Sequence, residues 1–181
     1  MMSALRFAWL FPTTWCTGRN SVQSSPRKIS RLWAKAAVIP RNGNGEAVRI
    51  GGRYLMFVSE GCGGKQHIGY SDNLINWTFR QENYLDSGSL GRLHEVMSSV
   101  VDGHSLILDF FYDDGSGISR CAEALYRLQE PRRQVALNRG GTLNAGGMIR
   151  YQGRWIHAQG WDAPQGKPVI YVYGTRPTSF P

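Results

Sequence analysis

Three stretches of this chain follow one plan at nearly constant spacing, and that repetition limits the possible folds more than any other feature. Residues 46–59, 95–110 and 146–159 each read as an apolar strand, a tight turn containing glycine, and a second apolar strand. The turns are Gly51-Gly52, Asp102-Gly103 and Gln152-Gly153, so the glycines at 52, 103 and 153 lie 51 and 50 residues apart. Glycine supplies the positive φ that a two-residue hairpin loop requires. A third apolar stretch follows each hairpin, at residues 67–70, 117–120 and 168–173. In the first unit it runs on through Ser71, Asp72, Asn73 and Trp77 to an expected outer strand at Thr78 and Phe79.

A repeat of roughly 40–50 residues built from consecutive strands indicates propeller blades. One small twisted sheet cannot bury both its faces, so such sheets stack around an axis. The expected fold class is therefore all-β: three β-propeller blades of a presumed five, an incomplete ring, since closure takes about 4–8 blades. The alternative is a β-sandwich whose hairpins are evenly spaced. The expected organisation is a basic N-terminal extension over residues 1–32, then blade units at about 33–85, 86–138 and 139–181.

Composition agrees with short strands. The 181 residues include 22 glycines, six tryptophans, eight tyrosines and seven phenylalanines, and only 19% are charged. The formal charge of +8 is local. The first acid is Glu46, and seven basic residues precede it; the other 14 of the 21 lysines and arginines meet 13 acids, leaving the body at +1. Nucleic-acid binding expects a basic face on the folded part, so the charge does not argue for a nucleic-acid partner. The apolar run at residues 4–15 is interrupted by Arg6 and Pro12 and is too short to span a bilayer. It loosely resembles a targeting peptide, but reads more simply as an extension, and the compartment stays open. Cys16, Cys62 and Cys121 form no CxxC pair, and an odd number argues against a full disulfide framework. Cys62, among glycines, reads as a loop thiol. No metal-ligand spacing, P-loop, GxSxG or HExxH is present, so neither a metal nor a cofactor is expected.

The residues then point to a family group. Arg49, Ile50, Gly51, Gly52, Arg53, Tyr54, Leu55, Met56, Phe57, Val58 and Ser59 resemble the Gly-x-Tyr-Tyr-Met-Phe-x-Ser strand pair of the arabinosidase and xylosidase family. Ser71, Asp72, Asn73, Leu74 and Trp77 are similar to the Ser-x-Asp-Leu-x-x-Trp outer strand of the same families. Residues 124–135 with Asn138 and Arg139 resemble a connecting segment of the mannoside phosphorylases, and Gly160, Trp161 and Asp162 resemble their Gly-Ala-Asp. Residues 33–181 as a whole resemble the five-bladed propeller glycosidases and glycoside phosphorylases, as a partial copy. The first unit's 71–77 stretch also loosely resembles the sialidase Asp-box, without its glycine.

The resemblance implies carboxylates at the starts of the innermost strands. Glycosidic cleavage uses one carboxylic acid to protonate the leaving oxygen and a second carboxylate to activate water or attack carbon. In the hydrolase family such a carboxylate stands about eight positions before the turn glycine. Eight before Gly103 is Glu95, which matches the general-acid position and is the candidate catalytic residue. Eight before Gly52 is Asn44, where the family has Asp; Glu46 can replace it after a two-residue shift, which preserves side-chain facing. Eight before Gly153 is Ala145, which carries no acid-base chemistry. His94, adjacent to Glu95, is expected to point to the opposite face, so that only one of them lines a pocket. His157, Trp161 and Asp162 join Asn44 and Glu46 as candidate substrate-binding residues. Each has a plainer role: His157 as a hydrogen-bonded strand residue, Trp161 as blade packing, Asp162 as a turn residue, Glu95 as a solvated strand end. Asp113, Asp114 and Gly115 read as a turn, although the phosphorylases place a substrate-contacting Asp nearby.

The expected function is that of a carbohydrate-active propeller protein, a glycoside hydrolase or phosphorylase acting on a plant- or microbe-type oligosaccharide. No nucleic-acid or membrane partner is expected, and open blade edges leave self-association available. The competing readings are a non-catalytic sugar-binding propeller and an inactive fragment of such an enzyme.

Overall fold

The computed structural model describes residues 34–60, 64–116, 119–139, 146–152, 154–160 and 170–175. These residues form three antiparallel sheets in chain order. The first contains β1 (Ala36–Val38), β3 (Arg53–Ser59), β4 (Gln66–Ser71) and β5 (Thr78–Gln81) in that order, with β2 (Arg49–Ile50) also paired to β3. The second is a plain meander of β6 (Arg92–Asp102), β7 (Ser105–Asp113), β8 (Ser119–Arg127) and β9 (Gln134–Arg139). The third has β10 (Gly146–Tyr151), β11 (Arg154–Gly160) and β12 (Ile170–Thr175). The innermost strands lie beside one another, β6 packing against both β1 and β10. The chain is therefore all-β, built of propeller blades that do not close a ring among the described residues.

The hairpins fall where the glycines point. Ile50 pairs with Arg53, Asp102 with Ser105, and Tyr151 with Arg154. Gly52 and Gly103 have φ of +84° and +58°. In the second turn the loop is Gly103-His104, one residue later than expected.

The first unit departs from expectation in its inner strand. Residues 46–50 do not form one strand; only Arg49 and Ile50 pair with β3, Ala47 bridges back to Arg41, and β1 lies upstream. Between them the chain leaves the sheet. Pro40 has no N–H for a ladder, and its carbonyl instead accepts from the Val48 N–H. Arg41 then bridges to Val100 of the second sheet, and its guanidinium donates to the Met148 carbonyl of the third. One residue thus ties all three inner strands.

Between the first two sheets lies the main core, with Leu55, Phe57 and Ile68 on one side and Leu106, Leu108, Phe110 and Tyr126 on the other. The segment joining the sheets is sealed into it. The Gln66 amide donates to the Leu85 carbonyl at 2.7 Å and accepts from the Tyr84 and Leu85 N–H groups at 3.0 and 2.8 Å. Tyr84 packs on Phe57 with ring centroids 4.9 Å apart and donates its hydroxyl hydrogen to the Val58 carbonyl. A smaller cluster of Val100, Ile107, Leu125, Met148 and Trp155 joins the second and third sheets. β7 is covered on both faces, which explains its nearly unbroken apolar run from Leu106 to Tyr112. The far face of the third sheet exposes Ile149, Tyr151, Ile170 and Val172, and no further sheet covers it among the described residues.

Gly91 positions the start of β6. Its φ is +131°, and a Cβ there would lie 2.2 Å from the Asp113 carbonyl oxygen. Backbone strain and overlap with a fixed main chain act together, so Gly91→Ala is expected to lower stability by about 3 kcal/mol, read as a fall in the urea midpoint.

Candidate functional site

The start of β6 carries two extra residues relative to β7. Leu93 pairs with Tyr112 and Glu95 with Phe111, which leaves His94 as the inserted residue of a β-bulge; a second irregularity falls at Met97, between Val96 and Ser98. A bulge interrupts the strict alternation of facing. This overturns the expectation that His94 and Glu95 point to opposite faces. Both reach the same side chain, Lys35, which immediately precedes β1. Lys35 Nζ lies 2.7 Å from Glu95 Oε1 and 3.0 Å from each ring nitrogen of His94, and His94 Nδ1 is 3.9 Å from the same Glu95 oxygen. Phe111 forms the floor: its ring centroid is 4.8 Å from that of His94 and 5.8 Å from Lys35 Nζ. The Val96 N–H, next to the bulge, donates to Ser59 Oγ of the first sheet.

The cluster is half-buried, with side-chain exposures of 21% for Lys35, 27% for Glu95 and 28% for His94. Burial lowers the His94 pKa to about 4; the positive charges of Lys35 and Arg92 add to the effect and Asp113 opposes it. His94 is thus neutral at pH 7, with one ring nitrogen free to accept from Lys35. A carboxylate, an ammonium and a neutral imidazole over an aromatic ring offer donors and acceptors together with an apolar surface. That combination suits a polyhydroxylated ligand.

The other expected residues are not brought here. Asn44 and Glu46 are exposed in a turn closed on itself: the Asn42 side-chain carbonyl accepts from the N–H groups of Asn44 and Glu46, and the Asn42 amide donates to the Glu46 carboxylate. The eight-residue offset fails in this unit because the inner strand is interrupted, so Lys35 rather than Asn44 stands at its start. The turn adjoins Arg41, opposite Val100, about 16 Å along β6 from Glu95 at roughly 3.3 Å per residue.

His157 is buried between the second and third sheets, where its Nε2 is 3.0 Å from Asp109 Oδ2. Its alternation with Ile156 is as expected, but the face it occupies meets the neighbouring sheet rather than the Glu95 cluster. Burial by itself would lower its pKa; the hydrogen bond and charge of Asp109, with the charge of Glu123, outweigh that and raise it. Asp109 is raised by burial, against the pull of His157 and Ser98. Asp113 and Asp114 bind their own turn, accepting from the N–H groups of Gly115 and Ser116, and Asp114 also pairs with Arg120. Hydrogen bonds from Ser116 and then Arg120 hold the Asp114 carboxyl down at about 2. Cys121 is buried, and burial with the nearby Asp109 pushes its thiol up to about 12, far from a reactive thiolate. Trp161, Asp162, Ala145, Cys16 and Cys62 lie outside the described residues, as does the basic extension 1–32.

Lys35 and Phe111 were not singled out from the sequence. The available signal for Lys35 was a short apolar run, Ala36 to Val38, directly after a charged residue. For Phe111 nothing distinguishes it from its apolar neighbours.

No family model matches the chain, and no curated protein matches it. Solved structures do. One, described as a member of the GH130 family of mannoside phosphorylases containing glycoside hydrolases that target β-1,2 mannosidic linkages in Candida mannan, is 17% identical with a TM-score of 0.56, over 80% of this chain and 50% of that one. A glycosyl hydrolase from Bacteroides ovatus is 18% identical with a TM-score of 0.54, over 82% and 51%. A thermostable family-43 glycoside hydrolase is 13% identical with a TM-score of 0.53, over 77% and 47%. The chain thus spans about half the length of the structures it matches, and its fold is that of the blades of propeller glycosidases.

Proposed function

We propose that this chain supplies the saccharide site of a glycoside hydrolase or glycoside phosphorylase acting on an oligosaccharide of plant or microbial type, with Glu95 as a reacting carboxylate. The observation that carries this reading is the meeting of Lys35, His94 and Glu95 where the first strands of two adjacent blades begin. Innermost strand starts are also where the resemblance to propeller glycosidases puts their carboxylates. The likeness of fold to structures described as glycoside hydrolases and mannoside phosphorylases supports the same class of ligand.

A second reading, sugar binding without turnover, is favoured by one specific feature. Glycosidic cleavage calls for two carboxyl groups; among the described residues Glu95 is the carboxylate paired with Lys35, while the nearby Asp113 is held by Arg92 and by its own turn.

Incubation of the full chain with nitrophenyl arabinoside, xyloside and mannoside, each with and without inorganic phosphate, separates the readings. Release of nitrophenol is the expected result, and phosphate dependence identifies the acceptor. Binding of oligosaccharides without release selects the second reading. Neither release nor binding contradicts both.

A further inference from the structure

Lys35 is positioned to do more than neutralise a neighbour. Its ammonium lies at hydrogen-bond distance from both Glu95 and His94, and the bulge at His94 is what allows one side chain to touch the two. An ammonium 3.0 Å from the ring nitrogens disfavours a second positive charge on the His94 imidazole.

We propose that Lys35 is a positioning residue that holds the Glu95 carboxyl group and the His94 ring together and disfavours a second positive charge on the imidazole, so that the cluster presents acceptors to sugar hydroxyls or water. The choice of a sugar as ligand rests on the functional reading above, whereas the contacts of Lys35 with Glu95 and His94 stand on geometry alone. The charged groups that bear on His94 are Lys35, Glu95, Arg92 and Asp113. Arg92 and Asp113 are themselves 3.5 Å apart and partly offset each other, which leaves Lys35 as the charge whose removal His94 should feel most. Phe111 contributes no titrating group. The lowered pKa of His94 agrees with this arrangement.

The test is a pH titration of the imidazole resonances in the full chain, with the His94 signal identified by its loss in His94→Gln. Lys35→Met is expected to raise the His94 midpoint from about 4 by about one pH unit, and Lys35→Arg to leave it near the wild-type value. An amide fingerprint matching the wild type shows that the variant is folded. If Lys35→Met unfolds, Lys35→Gln takes its place with the same expected rise, and a wild-type midpoint at or above 6.5 overturns the proposal. So does a folded Lys35→Met whose midpoint does not move. Because this readout needs no turnover, absence of nitrophenol release would count against the saccharide reading and not against the role of Lys35. Conversely, release combined with an unmoved His94 would reject the role of Lys35 and leave the saccharide reading intact.

Discussion

Glu95→Gln is expected to lower nitrophenol release by about 10²–10⁴-fold, the range contributed by a positioned proton-transfer group. The amide is nearly the same size as the carboxylate, but it carries no charge and takes up no proton. Its effect on folding should be small. Glu95 is partly exposed and its ion pair with Lys35 is partly open to solvent, and such pairs contribute at most about 1 kcal/mol. Comparing release rates alongside urea midpoints for wild type and variant therefore separates chemistry from stability. Release unaffected by the substitution would remove Glu95 from the reaction.

The second large effect concerns stability. His157→Ala is expected to cost about 3–5 kcal/mol, because it strands the fully buried carboxylate of Asp109 between the second and third sheets without its partner. Replacing both residues by leucine should recover much of that loss, since an apolar pair needs no compensation for desolvated charge. Urea denaturation of the three variants measures both changes. The pair also gives stability a pH dependence whose sign follows from the direction of the shifts. His157 is raised above its ordinary value of 6.5. Its contribution is therefore complete below about pH 6.5 and disappears as pH rises through the raised value. Asp109 and Glu123 are raised too, both chiefly by burial, so their ionisation at higher pH acts in the same direction. The melting temperature of the wild type should fall on the alkaline side of pH 6.5 more steeply than that of the double-leucine variant.

What could be read from the sequence, and what could not, follows from the range of the interactions involved. Hairpins are local, and the glycines at 52 and 103 mark positions where only a positive φ closes the turn; the spacing of those turns carries the blade architecture. The offset from Gly103 puts Glu95 near the start of β6 because that strand runs continuously from Arg92 to the turn despite its two bulges. The same offset failed from Gly52. Pro40 and the turn at Asn42 send the chain across to the second sheet before β2 forms, and a three-residue strand such as β1 leaves little periodic trace. The bulge at His94 has no compositional mark at all, since it depends on how β6 matches β7 residue by residue. Strand alternation puts His157 on the opposite face from Ile156, as the structure has it. It does not say which face meets a neighbouring blade, and that is set by packing between segments 48 residues apart.

The account depends on adjacent blades turning their first strands toward one place, so that Lys35 of the first touches Glu95 of the second. Zero-length coupling with a water-soluble carbodiimide, followed by peptide mass spectrometry, reads that contact directly, because it joins an amine and a carboxylate only when they meet. The expected product is an amide between Lys35 and Glu95, absent from Glu95→Gln. Coupling of Lys35 to other carboxylates with none to Glu95 would contradict the arrangement.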